Sequence, residues 1–213
     1  YVQTAYALVS QSLGTVFGLA LALLALAVLV RDALSEATSK SETDTLSRLF
    51  NRGGFERHAD IAMRDAARRG VPVALVLADL DYFKSINDRY GHACGDRVIE
   101  TFAGFLREAA AEHHVGGEEF AIILPGTNLA AARLFAEGAR NAFGALPIEG
   151  LPADHRCSAS FGVAELTADE GFADLLRRAD AALYEAKNAG RDCVRVSGAL
   201  RRRQTPTIFN GKG

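Results

Sequence analysis

The chain has 213 residues, room for one ordinary domain and an appendage. Hydrophobic residues make up 49% and charged residues 23%, a balance that builds a packed core and excludes a disordered chain. The formal net charge of −2 excludes bulk attraction to polyanions, so nucleic acid is not an expected partner and any phosphate recognition must be local.

The first residue is Tyr1 and not Met, so the chain is expected to be a piece of a longer protein with a sensory region upstream. Residues 13–30 are 18 in a row without a charge, and with the apolar segment 6–9 they are long enough for a hydrocarbon core of about 30 Å. The run lacks the polar stripe of a core helix, and no basic region precedes it as a signal peptide requires. Residues 1–30 are therefore expected to hold a transmembrane helix. Arg31, Lys40 and Arg48 follow the run and no Lys or Arg precedes it, which puts the rest of the chain in the cytoplasm. Residues 31–46 are polar, free of Gly and Pro, and suited to a helical stalk. Leu34 and Leu46 are too sparse to mark a coiled coil, so a plain linker is the alternative.

From Asn51 onward, helical and strand patterns alternate. Phe55, Ala59, Ala62 and Ala66 mark one helix face, and residues 71–80 form an apolar run that ends in Asp79 and Asp81, the pattern of a central buried strand. Val98, Ile99, Phe102 and Leu106 mark a second helix. Residues 120–125 read as a strand stopped by Pro125, residues 128–144 as a helix, and residues 157–164 as an alternating strand. Phe172, Leu175, Leu176, Ala179, Ala182 and Leu183 mark a third amphipathic face, before a short last strand at 193–196. This order predicts one α/β domain over 47–198, with helices layered on a sheet. Residues 199–213 are expected to be a disordered tail. Cys94, Cys157 and Cys193 contain no CxxC pair, which excludes a zinc knuckle or disulfide framework and leaves buried thiols.

Three features carry chemistry. Asp79-Leu80-Asp81-Tyr82-Phe83-Lys84 closes the most hydrophobic strand, where carboxylates are costly unless solvated, paired or bound to a cation. Gly116-Gly117-Glu118-Glu119-Phe120 combines glycines fit for a tight turn and close ligand approach with two carboxylates that open the next strand. If the two strands are neighbours, Asp79, Glu118 and Glu119 converge, and with a carbonyl they make the all-oxygen set that suits Mg²⁺ and a phosphate. Lys187 and Arg191, four apart at a glycine-terminated helix end, are placed to neutralise phosphates. Each feature alone is commoner as a plain hairpin, a solvated strand end or a solvated helix face. Their joint occurrence, with Asn87 to His92 and Gly95-Asp96 between them, changes the balance.

In these residues the chain resembles the GGDEF family of diguanylate cyclases, over about residues 44–197. Asp44 to Arg52 is similar to the family's opening DxLTGLxNR, with Ser47 and Arg48 in place of Thr-Gly. The resemblance implies a GGDEF, nucleotidyl-cyclase-like palm with a central mixed sheet flanked by helices. It implies two Mg²⁺ ions per site, with Mn²⁺ as an alternative, on Asp79, the Leu80 carbonyl, Glu118 and Glu119. Tyr82, Phe83, Lys84, Gly116 and Gly117 are implied to hold the triphosphate, Asn87 and Asp96 to read guanine, and Lys187 and Arg191 to bind phosphate. Glu118 is implied as the general base or as a ligand of the metal that lowers the hydroxyl's pKa. The expected reaction joins two GTP molecules into cyclic di-GMP and releases pyrophosphate. It requires a homodimer, on the bacterial inner membrane with the catalytic domain in the cytoplasm.

The chain departs from the pattern before the hairpin. The family's strand reads roughly Asp-x-x-x-Arg-x-Gly-Gly, whereas here Leu106 to Ala111 runs almost directly into Glu112-His113-His114-Val115-Gly116. Either the hairpin is short or residues are missing from the chain at this point; the second is favoured, because a clipped strand would hold the signature poorly. Arg107 matches the arginine of the product-binding RxxD motif, but Ala110 stands where Asp is needed, so feedback inhibition there is expected to be weak or absent. The competing functions are a catalytically silent domain acting as a GTP sensor or interaction platform, and a mixed-dinucleotide synthase. Asp96 favours guanine, because a carboxylate accepts from both its N1 and N2 hydrogens, which adenine does not offer.

Overall fold

The computed structural model describes residues 21, 23–29, 42–110, 114–116 and 120–197. The chain divides into two units between Ser41 and Glu42. In the first unit residues 21 and 23–29 are helical, with Leu23, Leu24 and Leu29 exposed. The expected membrane span and membrane location are corrected here: among the described residues no helix is long and apolar enough to cross a membrane. The rest of that expected span, residues 31–41 of the stalk and the tail from 198 lie outside the described residues.

The helical stalk expected over 31–46 does not extend through 42–46. Thr43 bridges Phe50, and Asp44 accepts hydrogen bonds from the Ser47 backbone N–H and hydroxyl, both at 2.7 Å. A side chain that takes nearby donors this way competes with the helix and favours a turn. The turn closes with Asp44 N–H donating to the Leu49 carbonyl at 2.8 Å. Asn51 then caps α1 (Arg52–Arg69), its side chain accepting from Gly54 N–H at 2.9 Å.

The second unit continues with β1 (Val73–Leu80), α2 (Phe83–Tyr90), α3 (His92–Ala109), β2 (His114–Gly116) and β3 (Ala121–Pro125). It ends with α4 (Leu129–Ala145), β4 (Ala159–Glu165), α5 (Phe172–Asn188) and β5 (Val194–Val196). The five strands form one mixed sheet in the order β2-β3-β1-β4-β5. β1 is antiparallel to β3 and β4, while β4 and β5 run parallel. The alternating side chains of β1 divide the core. Ala74, Val76, Ala78 and Leu80 pack with α3 and α4, while Val73, Leu75 and Leu77 pack with α1 and α5. Phe102 of α3 meets Phe120 and Phe143 at centroid distances of 4.6 and 4.4 Å, and burying a ring of this size contributes about 2 kcal/mol.

α5 rests directly on β4. A Cβ at Gly162 would run into the backbone of Ala179 and Leu183, so the glycine sets how closely helix and sheet approach. Beside it Arg178 and Glu170, both side chains 6% exposed, form a two-point ion pair at 2.7 and 2.6 Å. Burial pushes the Glu170 carboxyl up, but hydrogen bonds from Arg178 and Thr167 outweigh it and hold the group below its ordinary value. Sequence periodicity marked this helix face by its apolar residues and passed over the arginine among them. α2 was not expected either: Ile86 is its one buried residue, too little to leave a periodic signal.

Candidate active site

β1 ends beside the antiparallel pair β2–β3, and the C-terminal end of α5 lies over the same corner. The register of β1 on β3 runs from Val73–Pro125 to Leu77–Ala121, and the next rung is an Ala78 N–H bond to the Phe120 carbonyl at 3.0 Å. The strands are therefore neighbours, as the proposed convergence requires. Phe120, 7% exposed, fixes the end of the Gly116–Phe120 signature in the core through its ring. Gly117, Glu118 and Glu119 lie outside the described residues.

Asp79 shares a face of β1 with Val73, Leu75 and Leu77, the face α5 covers. That parity brings the last turn of α5 to it, and Lys187 Nζ pairs with Asp79 Oδ2 at 3.0 Å. Both side chains stay partly open, at 34% and 42% exposure, so the pair is accessible and adds at most about 1 kcal/mol to stability. Arg191, past the helix end, stands with its guanidinium 4.8 Å from the centre of the Tyr82 ring. Tyr82 is exposed and takes a left-handed conformation (φ 55°) just before Phe83 and Lys84 open α2. Leu80 buries its side chain at the end of β1.

Asn87 of α2 lies against Gly95 of α3, whose missing side chain makes room for it. Its Oδ1 is buried and has no hydrogen-bond partner among the described residues, a loss of about 1–3 kcal/mol unless a ligand donor fills it. Asp96 is exposed one residue further along α3. A cleft of about 130 Å³ opens on the other side of Asp81, toward Arg89, Tyr90 and His155; Asp79 and Lys187 do not line it.

Gly116 is buried and has a packing duty: a Cβ there would press into the Phe55 ring at 2.9 Å. It also bridges Phe50 in parallel, so the three-residue β2 is held by α1 and by the segment before it as well as by β3. Ala110, at the aspartate position of the RxxD pattern, is 1% exposed in the core. Cys94 and Cys157 are buried and Cys193 is half-buried, all three as free thiols.

Asp79, Lys187, Tyr82 and Arg191 are thus brought to one corner, and Asn87 and Asp96 to the adjoining α2–α3 junction. Among the described residues no three of His, Cys, Asp and Glu converge as a metal set. The donor chemistry at the corner still suits a hard cation. Asp79 presents a half-open carboxylate whose described counter-ion is one displaceable ammonium, and the carboxylates next to Phe120 in the chain supply only oxygen. Sequence reasoning missed Ser158, Ser160 and Asp192, which surround Asp81; the one signal was the Ser-x-Ser spacing at the start of β4.

A family model described as diguanylate cyclase, GGDEF domain, matches residues 41–193. The chain is 37% identical over 172 residues to the diguanylate cyclase VdcA of Vibrio cholerae serotype O1, covering 78% of this chain and 50% of that protein. It therefore spans about half the length of that relative. The GGDEF domain of DgcB from Caulobacter crescentus, solved in complex with c-di-GMP, matches with a TM-score of 0.68 and 33% identity, covering 74% of this chain and 94% of that one. The active GGEEF domain of a diguanylate cyclase from Vibrio cholerae matches with a TM-score of 0.65 and 32% identity, covering 70% and 97%.

Proposed function

The chain belongs to the GGDEF family of diguanylate cyclases, and on that premise we propose that it condenses two GTP molecules into cyclic di-GMP and pyrophosphate. The observation that carries this reading is the Asp79–Lys187 pair at 3.0 Å, half-open at the strand end that Phe120 of the signature adjoins. An acid for a cation and a base for a phosphate stand within reach of one small ligand.

Asp79, the Leu80 carbonyl, Glu118 and Glu119 would hold Mg²⁺, or Mn²⁺ in its place. When bound, the metal offsets triphosphate charge and lowers the pKa of the attacking hydroxyl. Lys187 leaves Asp79 and, with Arg191, takes the negative charge of the phosphates. Tyr82, Phe83 and Lys84 border the triphosphate, and Gly116 and Gly117 let the backbone approach it. Asn87 offers its unpartnered Oδ1 to guanine, and Asp96 accepts from the N1 and N2 hydrogens. The 3′-hydroxyl of one GTP attacks the α-phosphorus of the other; Glu118 takes its proton, a phosphoester bond forms and pyrophosphate leaves. Repeating the step in the opposite sense closes the ring. Each corner holds one GTP, so two copies of the domain must face one another, and their alignment sets the rate.

The short sequence segment between Leu106 and Gly116 favours a second reading, a silent domain that senses GTP or serves as an interaction platform. Anion-exchange chromatography of the chain with GTP and Mg²⁺ separates the two. The cyclase reading expects cyclic di-GMP and pyrophosphate from the unaltered protein and none from Glu118→Ala or Glu119→Ala. GTP that is bound but not consumed, even with the domain held as a dimer, would replace it with the sensor.

A further inference from the structure

Asp81 has no part in the reaction above, yet it is more deeply buried and more fully bonded than Asp79. It is 4% exposed. Oδ1 accepts from the Ser160 hydroxyl at 2.6 Å, and Oδ2 accepts from the Ser158 hydroxyl at 2.8 Å and from Asp192 N–H at 2.9 Å. Its own N–H donates to the Ser158 carbonyl at 2.9 Å. A carboxylate taken out of water needs such donors, and none of these three carries a charge.

The donors come from two places. Ser158 and Ser160 belong to the start of β4, whereas Asp192 belongs to the turn that follows α5 and carries Arg191. The turn has one anchor at its own helix end, where Arg191 N–H donates to the Ala186 carbonyl at 3.1 Å. Gly190 adopts its φ of 108° freely, but Arg191 and Asp192, at 65° and 43°, are two consecutive residues in the left-handed region that L side chains rarely adopt. It is tied down from outside. Asp81 takes Asp192 N–H, Arg140 of α4 pairs with the Asp192 carboxylate at 2.8 Å, and Phe161 N–H donates to the Cys193 carbonyl at 3.0 Å. Of these ties, the one from Asp81 leads back to the end of β1, the strand that carries Asp79.

We propose that Asp81 is a positioning residue for GTP: its carboxylate holds the strained turn at 190–192 to the end of β1, so that Arg191 stands over Tyr82 where phosphate binds. The inference rests on the reading that Arg191 binds the triphosphate. Asp79 and Asp81 thereby divide the work of one strand end: the first faces the ligand, and the second fixes the residue that meets it.

The test is a double-mutant cycle read by binding. Affinity for a non-hydrolysable GTP analogue with Mg²⁺ is measured for the full chain, Asp81→Ala, Arg191→Ala and the double variant, with thermal unfolding of each. Asp81→Ala is expected to weaken binding about tenfold, and less than about twofold once Arg191 is already absent. Asp81→Asn, which keeps one acceptor, should recover part of the loss. Should Asp81→Ala fail to fold, Ser158→Ala removes one bond from the cradle and is expected to act in the same sense to a smaller degree. Binding within twofold of the unaltered chain, or losses from Asp81 and Arg191 that multiply in full, would overturn the proposal, since filling a buried space has no reason to act through Arg191. An unaltered chain that makes no cyclic di-GMP sinks the cyclase reading alone; the binding cycle still decides this one.

Discussion

At the start of the domain the turn from Asp44 to Leu49 puts Arg48 in the left-handed region, at φ 58°. At its end the turn after α5 does the same to Arg191, at φ 65°. In both, an aspartate accepts from a serine hydroxyl and from a backbone N–H: Asp44 from Ser47 at the first, Asp81 from Ser158 and Asp192 at the second. The side chains differ. Arg48 is exposed, and the family pattern has glycine there, whereas Arg191 lies over Tyr82 at the candidate site. Strain of the same kind thus lies under an arginine that reaches into solvent in one turn and under one that stands over an aromatic ring in the other.

Glycine in both turns would separate them. Arg191→Gly should weaken GTP binding about a hundredfold, from loss of charge-assisted hydrogen bonds, while stability holds or rises. Titration with a GTP analogue beside a thermal melt reads both, and a fall in stability would mean that the turn needs the arginine side chain for itself. Next in size is Asp44→Ala, which removes the acceptor of two hydrogen bonds and leaves the buried Ser47 hydroxyl without it; a loss of about 2 kcal/mol in urea unfolding is expected. Arg48→Gly should gain about 1 kcal/mol and leave cyclase turnover unchanged, since the positive φ costs glycine little.

The smallest effect is in acid. Hydrogen bonds from the Ser47 backbone and then its hydroxyl hold the Asp44 carboxyl below its ordinary value of 3.8. The folded state therefore binds that proton less readily than the unfolded state. The contribution is present in full above the unfolded value and is lost as pH falls through the folded one. The stability gap between the unaltered chain and Asp44→Ala should be constant near neutrality and narrow below about pH 3.8. A gap that stayed constant through that range would show that the charge of Asp44 is not what holds the turn.

The parts of the fold legible in sequence were those with a local signature. β1 showed as a continuous apolar run ended by acids, because it lies between two layers of helices. Lys187 and Arg191 showed through their spacing around a glycine at a helix end. α2 left no trace, because a single buried residue gives no periodicity. The Asp81 cradle and the Arg178–Glu170 pair were hidden for other reasons. The first joins residues 77 and 111 positions apart, and the second places an arginine in an apolar stripe that pattern counting treats as noise. The membrane expectation came from a run that is long enough in sequence, whereas the helix described within it is not.

The Phe55 ring occupies the space that a side chain at Gly116 would need. Positions in such contact cannot drift separately. Among relatives, a residue larger than glycine at the first place of the signature should appear only beside something smaller than phenylalanine on α1, so the two columns should covary. In a saturation map of this chain Gly116 would score as intolerant, and the contact with α1 is reason enough before any ligand is considered. A Phe55→Ala background should restore folding, read by thermal unfolding, for side chains at Gly116 and at no other position of the signature.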